Sequence, residues 1–227
     1  NISTLELFHG PTMAFKDVGA RFMARCLGYF NKNNNNEVTV LVATSGDTGA
    51  AVANGFLGVK NVKVVILYPS GKVSAIQEKQ LTTLGQNISA LEVKGTFDDC
   101  QAMVKTAFLD KKLTDMMQLT SANSINVARW LPQLFYFMFA YKRLYKKYKD
   151  LVFSVPSGNF GNVCAGMIAQ QLGLPIKHFI ASNNDNNVVT KYLSTALYKP
   201  KPSVQTISNA MDVGDPSNFK RILYMYR

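Results

Sequence analysis

Four short segments of this 227-residue chain hold the residue types that do chemistry. In HGPTMAFKD, at residues 9–17, Lys16 sits among Met13, Ala14, Phe15 and Val18. Apolar surroundings disfavour an ammonium, and an amine that gives up its proton can attack a carbonyl carbon and form a Schiff base. Taken alone, Lys16 also reads as a surface lysine or as the partner of Asp17. In SGNFGN, at residues 157–162, a glycine-rich turn follows an apolar run and precedes a helical pattern through Ala165, Ile168, Ala169 and Leu172. The backbone N–H groups of Gly158, Asn159, Phe160, Gly161 and Asn162 would converge at a helix start, which is an anion cradle, while the bland reading is a tight turn.

The third segment, TSGDTG at residues 44–49, stands at the same kind of strand-to-helix junction. Asp47 and Thr48 offer it a carboxylate and a hydroxyl, or Asp47 is simply a helix cap. It lacks the Gly-Lys-Ser/Thr ending of a nucleotide-binding P-loop. The fourth is SANSINVAR at residues 121–129, where Asn123, Ser124 and Arg129 gather at the start of a long helical pattern. An arginine fork reads phosphate or carboxylate through paired donors, whereas the plain alternative is a solvated capping cluster.

These segments need elements to position them. Apolar, β-branched runs at 38–43, 62–67, 88–93, 151–155 and 176–181 alternate with helical patterns. Ser74 and Gln77, with Gly85 beyond, predict the start and stop of one helix, and Thr96 with Asp99 predicts another start. The longest helical pattern covers 126–148, with Trp130, Leu134, Phe137, Met138, Tyr141 and Tyr145 as its stripe and Pro132 in its first turn or at a kink. Alternation of this kind predicts an α/β fold with mainly parallel sheets flanked by helices. The organisation it suggests is a first unit at 1–150 and a second at 151–227. The asparagine run at 31–36 reads as a loop.

Composition narrows the function. Hydrophobic residues make up 47% of the chain and charged residues 17%, enough for a substantial core and unlike a disordered composition. Cys26, Cys100 and Cys164 are far apart and read as reduced buried thiols, and with only His9 and His178 beside them no metal site is expected. No run reads as a transmembrane helix or a signal peptide, which points to a cytoplasmic protein. The net charge of +11 is dispersed, apart from a cluster at 142–149 near a predicted helix end, where cations suit the helix dipole. It reads as solvated surface rather than a nucleic-acid or membrane-binding face.

In chain order, ELFHGPTMAFKD (6–17), ATSGDTGAAV (43–52), SANSINVARW (121–130), VPSGNFGNVCAG (155–166), NNDNNVVTKYL (183–193) and AMDVGDPSNFKRI (210–222) resemble the threonine synthases, fold-type-II pyridoxal-phosphate enzymes of the tryptophan synthase beta-like group. The resemblance spans nearly the whole chain. It implies that Lys16 is the Schiff-base lysine and the catalytic proton shuttle, that Gly158 to Asn162 cradle the phosphate of pyridoxal 5'-phosphate, and that Asp47 meets the cofactor's ring hydroxyl. It implies that Thr48, Asn123, Ser124 and Arg129 hold the phosphate of O-phosphohomoserine. The implied reaction, a carbon-oxygen lyase step acting on a phosphate, gives L-threonine and phosphate at the end of threonine biosynthesis, in a monomer or homodimer.

The resemblance also implies two mainly parallel sheets, a smaller domain at 1–150 and part of a larger, cofactor-binding one at 151–227. It further implies a fold incomplete at both ends and a pyridine-nitrogen partner beyond Arg227, so the 227 residues alone are expected to turn over weakly or not at all. Two rivals stand beside this reading. A dehydratase of the same fold need not bind a substrate phosphate. A non-catalytic basic module would bind nucleic acid with steep salt dependence.

Overall fold

Each predicted apolar run becomes a strand, and every pairing among them is parallel. The computed structural model describes residues 2–33 and 36–226; Asn34 and Asn35 of the predicted asparagine loop, and Arg227 at the end, lie outside the described residues. The chain forms two compact units, Asn1–Arg129 and Trp130–Arg227.

In the first unit, the strands β1 (Val38–Ala43), β2 (Val62–Pro69), β3 (Ile88–Val93) and β4 (Gln118–Ser121) form a four-stranded sheet among the described residues, in the order β3-β2-β1-β4. All six residues of β1 are buried, as a central parallel strand covered on both faces requires. Alternate side chains serve opposite faces. Val40, Val42, Val64 and Ile66 share a core with Ala20, Met23 and Ala24 of α1 (Lys16–Phe30) and with Ala51, Val52 and Phe56 of α2 (Asp47–Phe56). Leu41, Ala43 and Leu67 pack instead with Cys100 and Val104 of α4 (Phe97–Leu109).

The order of the strands matters for function. The chain runs from β1 through β2 to β3 on one side, then returns to place β4 on the other side of β1. The carboxyl ends of β1 and β4 therefore flank a topological switch point, where open parallel sheets bind ligands.

Local signals hold well at the helix starts. Ser74 caps α3 (Ala75–Thr82), and Gly85 beyond it adopts φ +63°. Thr96 and Asp99 close a full capping box on α4, and α5 (Lys111–Met116) follows with Asp110 as its cap. The predicted helix over 126–148 is not continuous. It becomes α6 (Val127–Trp130), a 3-10 turn at Leu131–Gln133, and α7 (Leu134–Leu144). Pro132 lacks the N–H that would carry the α-helical ladder through this point.

The second unit begins at Trp130, not at residue 151, because the first part of the aromatic stripe belongs to its core. Trp130, Leu134 and Phe137 pack with Val163, Cys164, Ala165 and Ala169 of α8 (Gly161–Gln171). Tyr145, at the far end of that predicted stripe, is exposed. Here β5 (Leu151–Pro156) and β6 (Ile176–Ser182) pair in parallel, and α9 (Val188–Thr195) and α10 (Phe219–Met225) follow.

Candidate active site

At the switch point of the first unit, the amine of Lys16 faces Asp47. Lys16 is the first residue of α1 and Asp47 the first of α2, and Nζ lies 2.8 Å from the Asp47 carboxylate. The two side chains are 19% and 12% exposed, so water reaches the pair but does not surround it. A cation at a helix N-terminus meets an opposing dipole, and the Asp47 carboxylate offsets it. The shielding does not come from Met13 and Val18, as the sequence suggests, since both are exposed. Nor does Lys16 pair with Asp17.

Asp17 has a different task. It is buried, and it accepts hydrogen bonds from the Thr12 N–H at 3.0 Å and the Thr12 hydroxyl at 2.5 Å. The turn from Gly10 to Thr12 thereby folds over the start of α1. A side chain on Gly10 would collide with the Asp17 carboxylate. Sequence reasoning missed this residue as a determinant of where Lys16 stands; the signal was a Gly-x-Thr turn five residues before a carboxylate in a helix's first turn.

The loop from Thr44 to Gly49 is built around one hydroxyl. Buried Thr44 Oγ1 accepts from the N–H groups of Gly46 at 2.9 Å and Gly49 at 2.8 Å. Gly46 has φ +139°, a conformation that suits glycine alone. Asp47 is not the cap of α2: Gly46 occupies that position, and Asp47 accepts from the Thr48 N–H at 2.9 Å with the oxygen that does not face Lys16.

Asn123 joins the two strand ends. Its carbonyl accepts from the Ala43 N–H at 3.0 Å and its amide donates to the Ala43 carbonyl at 2.6 Å, so the side chain extends the pairing of β1 with β4. Arg129 is buried, and its Nη1 donates to the Ala122 carbonyl. The structure thus brings Lys16, Asp47, Thr48 and Asn123 to the carboxyl ends of β1 and β4, with Ser124 next in chain and Arg129 bonded to the same segment. Asn123 and Arg129 both carry structural bonds besides any ligand they hold.

Gly158, Asn159 and Phe160 lie in the second unit between β5 and α8, and Gly161 and Asn162 open α8. Ser157 extends the sheet through a 2.9 Å bond from its N–H to the Ser182 carbonyl. The Asn162 side chain turns back on the loop, accepting from Ser157 Oγ at 2.5 Å and donating to the Pro156 carbonyl at 2.8 Å. Phe160 adopts φ +61°, rare outside glycine, and buries its ring 6.0 Å from that of Phe219. Asn159 accepts from the Ser217 N–H at 2.6 Å and hydroxyl at 2.9 Å. With these side chains engaged in the loop's own structure, its donors toward an anion are main-chain N–H groups at the helix start. Behind them, burial pushes the Cys164 thiol up to about 12, against a smaller lowering by Arg221.

Among the described residues, no group of three or more His, Cys, Asp or Glu side chains is placed to hold a metal ion, and no helix is long and apolar enough to cross a membrane.

A shielded amine at a switch point suits an aldehyde, and, in the other unit, a glycine loop at a helix start suits an anion such as a phosphate. The family model for pyridoxal-phosphate dependent enzymes matches residues 4–226, and the chain belongs to that family. Within it, the chain is similar to threonine synthases. It is 54% identical over 228 residues to the threonine synthase of Buchnera aphidicola subsp. Baizongia pistaciae, covering 100% of this chain and 53% of that protein. The crystal structure of threonine synthase from Escherichia coli superposes with a TM-score of 0.92 at 51% identity, covering 98% of this chain and 52% of the other. The pyridoxal-phosphate-bound threonine synthase from Brucella melitensis gives 0.89 at 42%, covering 98% and 48%. The chain spans about half the length of the curated relatives it matches.

Proposed function

We propose that this chain carries the lysine and the cofactor-phosphate loop of a threonine synthase, which converts O-phospho-L-homoserine and water to L-threonine and phosphate. The observation that carries the reading is the Lys16 amine, 2.8 Å from Asp47 at the switch point of a parallel sheet. The residues fit pyridoxal 5'-phosphate by the chemistry of their donors: a primary amine for its aldehyde, a carboxylate for its ring hydroxyl, and helix-start N–H groups for its phosphate. When bound, that cofactor supplies an electron sink for charge developed on the substrate's carbon chain.

The chain's own residues do the rest. Lys16 Nζ moves protons at the substrate's α and β carbons, with Asp47 as its counter-charge. The N–H groups of Gly158, Asn159, Phe160, Gly161 and Asn162 hold the cofactor phosphate. Thr48, Asn123, Ser124 and Arg129 hold the substrate phosphate, and the guanidinium of Arg129 offsets the charge of that phosphate as it leaves. The site's ligands are small molecules rather than nucleic acid, and the proposal extends to a cytoplasmic enzyme acting as a monomer or homodimer.

A segment exchange tests the assignment. Residues 1–227 replace the matching segment of the Escherichia coli enzyme, and threonine and phosphate are measured with O-phosphohomoserine as substrate. The expected result is equal release of both. A folded, cofactor-loaded chimera that releases neither would contradict the proposal.

A further inference from the structure

In the second unit, the loop that follows β5 is backed by a segment folded around one carboxylate. Asp212 Oδ1 accepts from the Asn184 amide at 2.8 Å, the Asn186 amide at 3.1 Å and the Thr206 hydroxyl at 2.7 Å. Its Oδ2 accepts from the Thr206 N–H at 2.9 Å. Asn186 also pairs with the Val204 backbone in both directions, at 2.7 and 2.9 Å. Asn184 and Asn186 stand just beyond the carboxyl end of β6, so Asp212 ties the returning 204–212 segment to the end of the sheet.

The neighbour of Asp212 meets the glycine loop. A Cβ on Gly158 would lie 2.6 Å from the Cα of Met211, so that glycine is required by the backbone behind it. Two more ties hold the same loop: Asn183 Nδ2 donates to the Ser157 carbonyl at 2.8 Å, and Ser217 donates to Asn159. The knot at Asp212 fixes the segment that carries Met211.

We propose that Asp212 is a positioning residue for the phosphate-binding loop, holding Met211 against Gly158 so that the loop's N–H groups keep the spacing an anion needs. The inference rests on the reading of Gly158 to Asn162 as the cofactor-phosphate cradle. All four groups facing the carboxylate in these bonds are donors. An amide at 212 that keeps its carbonyl at the Oδ1 position would set its N–H groups against the Thr206 N–H.

Pyridoxal phosphate and pyridoxal share an aldehyde and ring, and differ only in the phosphate. The test compares their affinities for the purified protein and for Asp212→Asn, by fluorescence or absorbance titration, with circular dichroism as a check on folding. The wild type is expected to prefer the phosphorylated form. Asp212→Asn is expected to weaken pyridoxal phosphate about tenfold, the equivalent of one lost charged hydrogen bond, and to leave pyridoxal within about twofold.

A folded variant that keeps the full preference would overturn the role of Asp212 and leave the cradle standing. A wild type with no preference for the phosphate would overturn the cradle itself, and the inference with it. Should Asp212→Asn fail to fold, Thr206→Val removes a single donor to the knot. An undiminished preference in that folded variant would equally overturn the proposal, and a smaller loss of it would support it.

Discussion

Lys16 shows how far a residue can be read from its neighbours in sequence. The segment HGPTMAFKD singled out Lys16 by its apolar neighbours, and the structure keeps only part of that reasoning. Met13 and Val18 are exposed, while the Phe15 ring lies 5.7 Å from the amine and Asp47, a residue 31 positions away, faces it. No local pattern encodes that distance. Asp17, an obvious ionic partner by adjacency, instead holds the Thr12 turn. Replacing it with Ala strips two part-buried bonds from the Thr12 turn and frees the start of α1. Asp17→Ala is expected to cost about 2 kcal/mol in urea denaturation, and to weaken pyridoxal-phosphate uptake, because Lys16 is the adjacent residue. Phe160 is held in a strained left-handed conformation by its buried ring. Phe160→Ala is expected to cost about 3 kcal/mol, measured the same way, since the lost packing exceeds any relief of strain.

At the scale of elements, capping chemistry was legible and long-range pairing was not. Ser74 and Thr96 mark helix starts through bonds made within a few residues, so the sequence carries them. The strand β4 escaped because QLTS has one apolar residue and is defined by pairing with β1, some 80 positions earlier. Its position beside β1 creates the switch point, so the feature most important to the site was the least visible. Thr96→Ala removes the hydroxyl that accepts from the Asp99 N–H at 3.2 Å. It is expected to cost about 1 kcal/mol at neutral pH.

The hydrogen bonds from Thr96 also hold the Asp99 carboxyl below the ordinary carboxylate range. A depressed value in the folded state means the contribution is present above the unfolded value and lost as pH falls through the folded one. The stability gap between wild type and Thr96→Ala should therefore narrow in acid titrations. A gap unchanged from neutral pH into acid would show that the carboxylate plays no part in the cap.

At the scale of the molecule, α/β alternation and parallel pairing were legible from apolar runs, while the division into units was not. A helical pattern gives no sign of which core its stripe enters, and Trp130, Leu134 and Phe137 enter the second. Each unit has a buried cysteine that reports on it. Burial raises Cys100, in the first unit, to about 11, with Asp99 adding to the rise, and Cys164, in the second, to about 12. Both values stand above those of an unfolded thiol, so the stability they contribute is full below the unfolded value and is lost as pH rises through the folded ones. At pH about 8, near the ordinary thiol value, an aromatic disulfide should modify half-buried Cys26 in the native protein and reach Cys100 and Cys164 only on unfolding. Rapid native labelling of Cys164 would mean that the second core opens without global unfolding.

The central claim is that Lys16 is the residue that takes the cofactor. Its most direct test is to incubate the protein with pyridoxal phosphate, reduce with borohydride, digest, and locate the phosphopyridoxyl group by peptide mass. The group is expected on the peptide containing Lys16, with labelling abolished in Lys16→Ala. Labelling elsewhere, undiminished in Lys16→Ala, would contradict the account.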